Sequence, residues 1–270
     1  MEGNLFTHKN LILLKELIKT DFKLRYQGSL IGYAWSLLKP LLLFAVMYVV
    51  FVQFLRFGAD IPHFAVALLL GMVLWSFFSE TTSMGMMSVV MRGDLLRKIH
   101  FPPEIIIIST SVGALINLLI SFVVVISFSI LNQVEISYNL LIFIPFLLVE
   151  LYIFSLGVAF YLADYYVKYR DIDPVWEVFL QVGMYATPII YPISMIIDQS
   201  ELAAKWVLMN PMAQIIQDMR YILISPYNLT SMALIDTWWI WTIPYILSIV
   251  IFISGYYRFK KNCKYYAEIL

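Results

Sequence analysis

The sequence predicts an all-α integral membrane protein with six transmembrane helices. Hydrophobic residues make up 61% of the 270 residues and charged residues only 13%, so the chain has more apolar surface than a soluble domain of this size can bury. Six stretches each supply the roughly 20 mainly apolar residues that a helix needs to cross a bilayer. Fifteen of the 18 Lys and Arg residues precede or open the first stretch or follow the second, fourth or sixth, so they fall on one side of the membrane.

The six apolar stretches are predicted as transmembrane spans, and each is long enough for a membrane helix. They cover residues 33–57, 64–91, 105–131, 140–163, 175–197 and 238–257. Basic residues precede the first span and follow the second, fourth and sixth, while only Arg56, Lys205 and Arg220 fall on the opposite side. The positive-inside rule therefore predicts that both termini are cytoplasmic.

The segment before the first span, residues 9–27, predicts an amphipathic helix in the cytoplasmic interface. Leu11, Leu14 and Ile18 recur at helical spacing, and Lys15 and Lys19 lie four residues apart on a basic stripe. Such a helix could anchor the chain in lipid, contact a partner protein, or do both.

A charged island, residues 92–101, separates the second and third spans. It is long enough for about two helical turns, and Pro102 and Pro103 end any helix there. A basic amphipathic helix held between two spans is suited to receive force from a soluble partner. The simpler alternative is a cytoplasmic loop that carries Lys and Arg for topological reasons alone.

The external segment between the fifth and sixth spans, residues 198–236, predicts two short helices that dip into the outer leaflet. Asn210 and Pro211 separate two helical patterns there, and two prolines kink or end the span that precedes the segment. This arrangement could form an external gate or a static cap. The candidate gate residues are Pro188, Tyr191, Pro192, Asn210, Pro211 and Arg220.

Four residues within the spans are candidates for a substrate path. Phe44, Tyr48 and Phe51 share one helix face, and flat aromatic rings pack well against sugars, although core packing explains the same pattern. Glu80 lies among serines and threonines in the second span. A buried carboxyl in such surroundings either lines a polar path or bonds neighbouring helices.

The sequence contains no motif for catalysis or cofactor binding. A phosphate-binding loop of the form G-x-x-x-x-G-K-[ST] is absent, so we expect no ATP site in this chain. The three histidines are far apart and have no carboxylates at metal-ligand spacing. These features favour a transport protein over a membrane enzyme.

Short segments along nearly the whole chain resemble the ABC-2-type transporter permeases. The matching segments, in family order, are 94–102, 169–172, 187–191, 210–212 and Arg220. The branch that this chain most resembles exports lipid-linked O-antigens, teichoic acids and rhamnose-rich polysaccharides from bacteria. The segment 15–26 is similar to streptococcal-type rhamnan exporters.

The resemblance implies a half-transporter in the bacterial cytoplasmic membrane. Two copies would pair with two ATP-binding subunits that hold ATP and Mg²⁺, and the substrate would be a polyprenyl-linked polysaccharide rather than a nucleic acid. By position in the family, the residues that contact the ATP-binding subunit would be Arg92, Gly93, Asp94, Leu95, Leu96, Arg97, Lys98 and Ile99. Arg170 and Asp171 would add secondary contacts.

Two rival functions remain. A drug or small-lipid exporter of the same superfamily would share the topology and the island. A membrane-embedded lipid or glycan transferase would work without an ATP-binding subunit, and it would need clustered acidic or histidine side chains that the sequence lacks.

Overall fold

A computed structural model describes residues 7–26, 32–59, 61–99, 101–134, 138–235 and 237–269. These residues are helices and connecting turns without any β-strand. The helices are α1 (His8–Tyr26), α2 (Trp35–Met47), α3 (Phe64–Met91), α4 (Gly93–Lys98), α5 (Glu104–Leu131), α6 (Ile144–Lys168), α7 (Ile172–Ala186), α8 (Ser194–Ile197), α9 (Glu201–Leu208), α10 (Pro211–Leu223), α11 (Ser231–Leu234), α12 (Trp238–Trp241), α13 (Ile243–Asn262) and α14 (Tyr266–Ile269). A π-helical segment, Tyr48–Phe54, continues α2.

Five of the described helical segments are long and apolar enough to cross a membrane. They are Trp35–Phe54, Phe64–Met91, Glu104–Leu131, Asn139–Lys168 and Trp238–Tyr265. The protein is therefore a multi-pass membrane protein, as its composition predicts.

The predicted fifth span, residues 175–197, is not one continuous helix. Helix α7 has 15 residues and ends at Ala186, which gives it a length of about 22 Å against the roughly 30 Å of a bilayer core. Thr187 is extended because a residue before proline is driven out of the helical region, and Pro188 itself cannot continue the helix. A sixth crossing would need α7 together with the turn that follows it.

Helix α3 is the centre of the fold. Of its most apolar window, 72% of residues are buried inside the protein, whereas the corresponding figure for the first span is only 6%. Helices α5, α6, α7 and α10 all pack around α3. The first span and the outward faces of α13 therefore present apolar surface to lipid or to another chain.

Helices α6 and α13 pack with their backbones in direct contact. A Cβ atom added to Gly157 would lie 2.6 Å from the Phe252 Cα, and one added to Gly255 would lie 2.5 Å from the Gly157 carbonyl oxygen. Only glycine fits at these two positions, and small residues of this kind allow membrane helices to approach closely. The two helices form one closely packed pair.

The fold separates two ends. Helices α1, α4 and α14 lie at one end, where the carboxyl-terminal parts of α6 and α13 also meet. Helix α10 lies at the other end, with the starts of α3 and α13 and the turn after α7. We call these the island end and the hairpin end. The predicted in-out orientation of the two ends remains a prediction.

Candidate functional site

The island forms a short surface helix, α4, with one apolar and one polar face. Leu95 packs on the cluster around Phe101 and Ile105, and Leu96 contacts both that cluster and a second one around Tyr266. Most of the side chains outside this apolar face are exposed, namely Asp94, Arg97, Lys98 and Ile99. The helix is shorter than the predicted 92–101, and His100 lies outside the described residues. Its two leucines serve the protein's own core, so a partner would meet the polar face.

Arg92 joins three elements at the base of the island. Its guanidinium forms an ion pair with Asp21 of α1 and donates a hydrogen bond to Ser109 Oγ of α5 at 3.1 Å. Burial lowers the pKa of Arg92 from its usual value. Gly93 is buried beside it. Both residues were predicted as partner contacts, but they face the protein's interior.

Helix α1, which was predicted to lie in the cytoplasmic membrane interface, packs against the rest of the protein. Leu13, Leu14 and Leu17 contact the cluster of Phe101, Ile105 and Ile106. Lys15, Lys19 and Lys23 remain exposed, as the basic stripe predicts. Of the predicted apolar stripe, Leu11 is exposed, whereas Leu14 and Ile18 are half-buried.

A fully buried acid, Asp164, ties the carboxyl-terminal segment to α6. Its carboxylate accepts hydrogen bonds from Arg258 Nε at 2.9 Å, Asn262 Nδ2 at 2.8 Å and the Tyr266 hydroxyl at 2.7 Å. Lys168 Nζ lies 3.9 Å away. Burial, and then the bond to Asp164, raise the pKa of Tyr266, so its hydroxyl keeps the proton that it donates. We call Asp164, Arg258, Asn262 and Tyr266 the Asp164 clamp.

Arg170 and Asp171 lie in the exposed turn between α6 and α7, at the island end. The Arg170 guanidinium lies over the Tyr166 ring, 5.2 Å from its centroid. Both side chains are accessible to a partner at the same end as the polar face of α4.

A cavity of about 430 Å³, lined by eight polar and seven apolar residues, lies between α2, α3 and α5. Its polar lining residues are Ser36, Lys39, Ser76, Ser79, Glu80, Ser83, Asn117 and Ser121. Asn117 Nδ2 donates to Glu80 Oε1 at 2.9 Å, so Glu80 bonds α3 to α5 and also faces the cavity. Both sequence-based interpretations of Glu80 therefore fit the same position.

The aromatic stripe of the first span lies apart from this cavity. The Phe44 ring packs edge-on against Phe128 of α5, with centroids 5.5 Å apart, and Phe51 lies 5.6 Å from Phe57. Tyr48 accepts a hydrogen bond from Gln53 Nε2 at 2.8 Å. Within one protomer these rings pack on the core, and their role in a path stays a prediction.

Arg220 is the central residue of the hairpin end. It is buried to 1% exposure and donates to the carbonyl oxygens of Ala67 at 3.0 Å, Pro188 at 2.6 Å and Ile189 at 2.6 Å. A planar guanidinium carries several N–H groups that point in different directions, so one Arg side chain can donate to three carbonyl oxygens. Arg220 thereby fastens the turn after α7 to the start of α3.

The other candidate gate residues have local structural roles. The Tyr191 hydroxyl donates to the Tyr185 carbonyl oxygen at 3.0 Å, which folds the turn back on α7. Asn210 caps α10, because its Oδ1 accepts from the Met212 amide at 3.1 Å, and Pro211 occupies the first helical position. Pro192 is buried in the turn. Of the six, Pro188 and Arg220 are joined to each other by a hydrogen bond.

Helix α10 is buried on its polar side as well as its apolar side. The helical pattern of α10 places Gln214, Gln217, Asp218 and Arg220 on a polar face opposite the apolar one, but all four are buried. The amphipathic pattern fits a helix at an interface, whereas the protein encloses α10 between α3, α6 and α13. This enclosure is a tertiary feature that periodicity alone does not reveal.

Two acids meet where α10 crosses α6 and α13. Asp218 Oδ2 accepts from Gln214 Nε2 at 2.6 Å and from the Tyr245 hydroxyl at 2.7 Å, and Glu150 Oε1 accepts from Ser248 Oγ at 3.4 Å. The second oxygen of each carboxyl has no hydrogen-bond partner among the described residues. We call these five residues the Glu150–Asp218 cluster.

Asp164 and Asp218 were not predicted as functional residues. The fourth span was predicted to end at residue 163, which placed Asp164 in the following loop, whereas α6 continues to Lys168. The sequence feature that could have indicated Asp164 was its position, one residue beyond the predicted span. Among the described residues, no group of three or more His, Cys, Asp or Glu side chains could hold a metal ion.

Comparison with known proteins identifies the chain's relatives. Residues 12–224 match the model of the family described as ABC-2 type transporter. The chain is 30% identical over 203 residues to the O-antigen export system permease protein RfbA of Myxococcus xanthus. This match covers 75% of this chain and 76% of that protein. It is 26% identical over 262 residues to the protein of the same name from Klebsiella pneumoniae, with coverage of 96% and 95%.

Proposed function

The chain belongs to the ABC-2 type transporter family, and from this premise we propose that it is the permease subunit of an ATP-driven polysaccharide exporter. The observation that carries the proposal is the similarity to two O-antigen export permeases, one of them over nearly its full length. The proposed substrate is a polyprenyl-linked cell-surface polysaccharide, either an O-antigen, a rhamnan or a teichoic acid. The proposed site of action is the bacterial cytoplasmic membrane.

The island end is proposed to dock a separate ATP-binding subunit, which supplies ATP and Mg²⁺. The polar face of α4 supports this, because Asp94, Arg97 and Lys98 are exposed while the opposite face is fixed to the core. Arg97 and Asp94 pair at 2.9 Å, but both are exposed, so this pair contributes little to stability and is free to exchange partners. Arg170 and Asp171 extend the proposed surface.

A second copy of the chain is proposed to lie against α7. Trp176, Leu180 and Met184 pack one face of α7 on the core, and none of its residues is fully buried. Opposite these residues α7 exposes apolar side chains, whereas Glu177 and Gln181, exposed at a spacing of four, share a polar face along its side. An exposed carboxylate facing hydrocarbon is costly. We therefore propose that this face borders a hydrated path between two copies.

The substrate separates this proposal from its closest rival, an exporter of drugs or small lipids. The exposed Glu177 and Gln181 on α7 and the polar side chains that line the cavity beside Glu80 give a hydroxyl-rich polymer hydrogen-bond partners that a purely apolar cargo would not use. A transferase is less well supported, because both similar proteins are named as export permeases.

Co-purification with an ATP-binding subunit tests the docking surface. Reversing both charges in an Arg97→Glu, Lys98→Glu variant should abolish association and export while leaving permease abundance unchanged, because neither side chain supports the core. The matched control is Lys205→Glu, which changes a basic residue at the hairpin end and should retain both association and export. Normal association in the island variant would contradict the assignment of the docking face.

Cross-linking tests the second copy. In a Cys263→Ser background, Gln181→Cys should yield a covalent dimer with a short bifunctional reagent. Val250→Cys, on the exposed apolar face of α13, serves as the control and should give little dimer. Dimer formation from Val250→Cys and not from Gln181→Cys would place the partner on a different face.

The aromatic stripe requires a test of its own. Replacing Phe44, Tyr48 and Phe51 together by Leu restores apolar volume but removes the flat rings. If the rings line the path, export should fall while permease abundance holds. Full surface polysaccharide in this variant would assign the stripe to core packing, as the contacts of Phe44 and Phe51 already favour.

A further inference from the structure

The carboxyl-terminal segment lies directly beneath the island helix. Helix α14 contacts both α4 and α6. Its Tyr266 is 1% exposed and packs edge-on against Phe259, with ring centroids 5.4 Å apart. Leu96 of α4 packs on the cluster that contains these two rings. The end of the chain therefore forms part of the surface on which α4 rests.

The Asp164 clamp holds this segment in place. Three donors from the last part of the chain converge on one carboxylate of α6, at 2.7 to 2.9 Å. Charge-assisted bonds of this length are short and directional. Without them, α14 would be a helix of four residues beside another of six, and neither is long enough to be stable alone.

The clamp also connects α4 to the closely packed pair of α6 and α13. Their backbones touch at Gly157 and Gly255, so one helix cannot slide past the other without collision. Closely packed interiors transmit displacement rather than absorbing it. At the hairpin end the Tyr245 hydroxyl of α13 donates to Asp218 of α10, and Ser248 of α13 donates to Glu150 of α6.

We propose that Asp164 and Tyr266 are positioning residues for energy transmission, holding the carboxyl-terminal segment as the support of α4 so that a push on α4 moves α6 and α13. This inference rests on the proposed function, because the push comes from the ATP-binding subunit. Neither residue touches substrate. The alternative is that the clamp only stabilises the end of the chain.

A single hydroxyl group distinguishes these alternatives. Tyr266→Phe keeps the buried ring and removes only the bond to Asp164, whereas Tyr265→Phe makes the same chemical change at the neighbouring, half-exposed tyrosine. A spin label attached to Lys98→Cys in a Cys263→Ser background reports the mobility of α4 in the purified permease alone. We expect greater mobility with Tyr266→Phe and no change with Tyr265→Phe.

The assembled complex supplies the second measurement. With Tyr266→Phe, ATP hydrolysis should persist while polysaccharide exported per ATP hydrolysed falls about fivefold, a typical coupling effect. Unchanged label mobility together with unchanged export per ATP would overturn the proposal. A parallel loss of permease abundance and export at a constant ratio would also overturn it, since that result indicates stabilisation alone. Failure of the wild-type chain to bind an ATP-binding subunit would contradict the proposed function, and the label measurement would still decide whether the clamp positions α4.

Discussion

The two ends of the α6–α13 pair bury acidic side chains in opposite ways. At the island end, Asp164 has a cationic partner in Arg258 and three hydrogen bonds shorter than 3.0 Å. At the hairpin end, Glu150 and Asp218 bond only to neutral side chains in the part of the chain that the structure describes, and each keeps an unpartnered oxygen. The Asp164 carboxylate is therefore more fully bonded than the carboxyl groups of Glu150 and Asp218.

This difference indicates which end resists rearrangement. Breaking a buried, fully bonded ionic network leaves uncompensated polar groups, which is costly. Where bonds are already missing, a change of partners costs less, and a neutral residue of the same shape fits well. We infer that the island end moves as a unit and that contacts at the hairpin end exchange more readily.

The largest expected effect is at Asp164. Asp164→Ala removes the acceptor of three donors and leaves the buried Tyr266 hydroxyl without a partner, so it should lower the free energy of unfolding by about 3 kcal/mol. Thermal unfolding of the purified protein measures this loss. Asp198→Ala, an exposed acid in the external segment, is the control and should change stability by less than about 0.5 kcal/mol.

A smaller loss is expected at Arg220. Arg220→Lys keeps the positive charge but cannot reach three carbonyl oxygens with one ammonium group, so stability should fall by about 2 kcal/mol. Arg97→Lys, at an exposed pair, should be nearly neutral. Equal unfolding temperatures for the two variants would show that the Arg220 carbonyl contacts do not support the hairpin end.

The amide substitutions compare the two ends most directly. Glu150→Gln should change the free energy of unfolding by less than about 1 kcal/mol, because it replaces a carboxyl group that has no cationic partner among the described residues. Asp164→Asn should cost more, since it breaks the pairing with Arg258. A larger loss for Glu150→Gln than for Asp164→Asn would reverse the comparison.

The smallest expected effect concerns orientation and leaves stability unchanged. In a Cys263→Ser background, a cysteine at Asp94 should be protected from an impermeant thiol reagent in intact cells, while one at Lys205 should be labelled. Asp94 is exposed and Lys205 is half-exposed on the surface of the chain. External labelling at Asp94 would invert the predicted topology and remove the island from any cytoplasmic partner.

Much of the fold follows from local sequence. Long apolar runs predict the five membrane-length helices, because the bilayer requires about 20 apolar residues whatever they contact. Asn210 followed by Pro211 marks the start of α10 for a similarly local reason, since the cap and the fixed proline angle act within one turn. The prolines after residue 187 indicated a helix end there, although the span was predicted to continue to residue 197.

The tertiary structure alone decided which faces of these helices are buried and which polar groups meet. Leu95 and Leu96 pack on the core of the chain, and the polar side of α10 is enclosed. Asp164 and Tyr266 are separated by 102 residues, so no periodicity relates them. Hydropathy specifies that a segment enters the membrane, whereas bonds between distant side chains depend on how the helices pack. The sequence therefore determined the membrane-spanning class and five of its six predicted segments, and only the packing placed the clamp beneath the island helix.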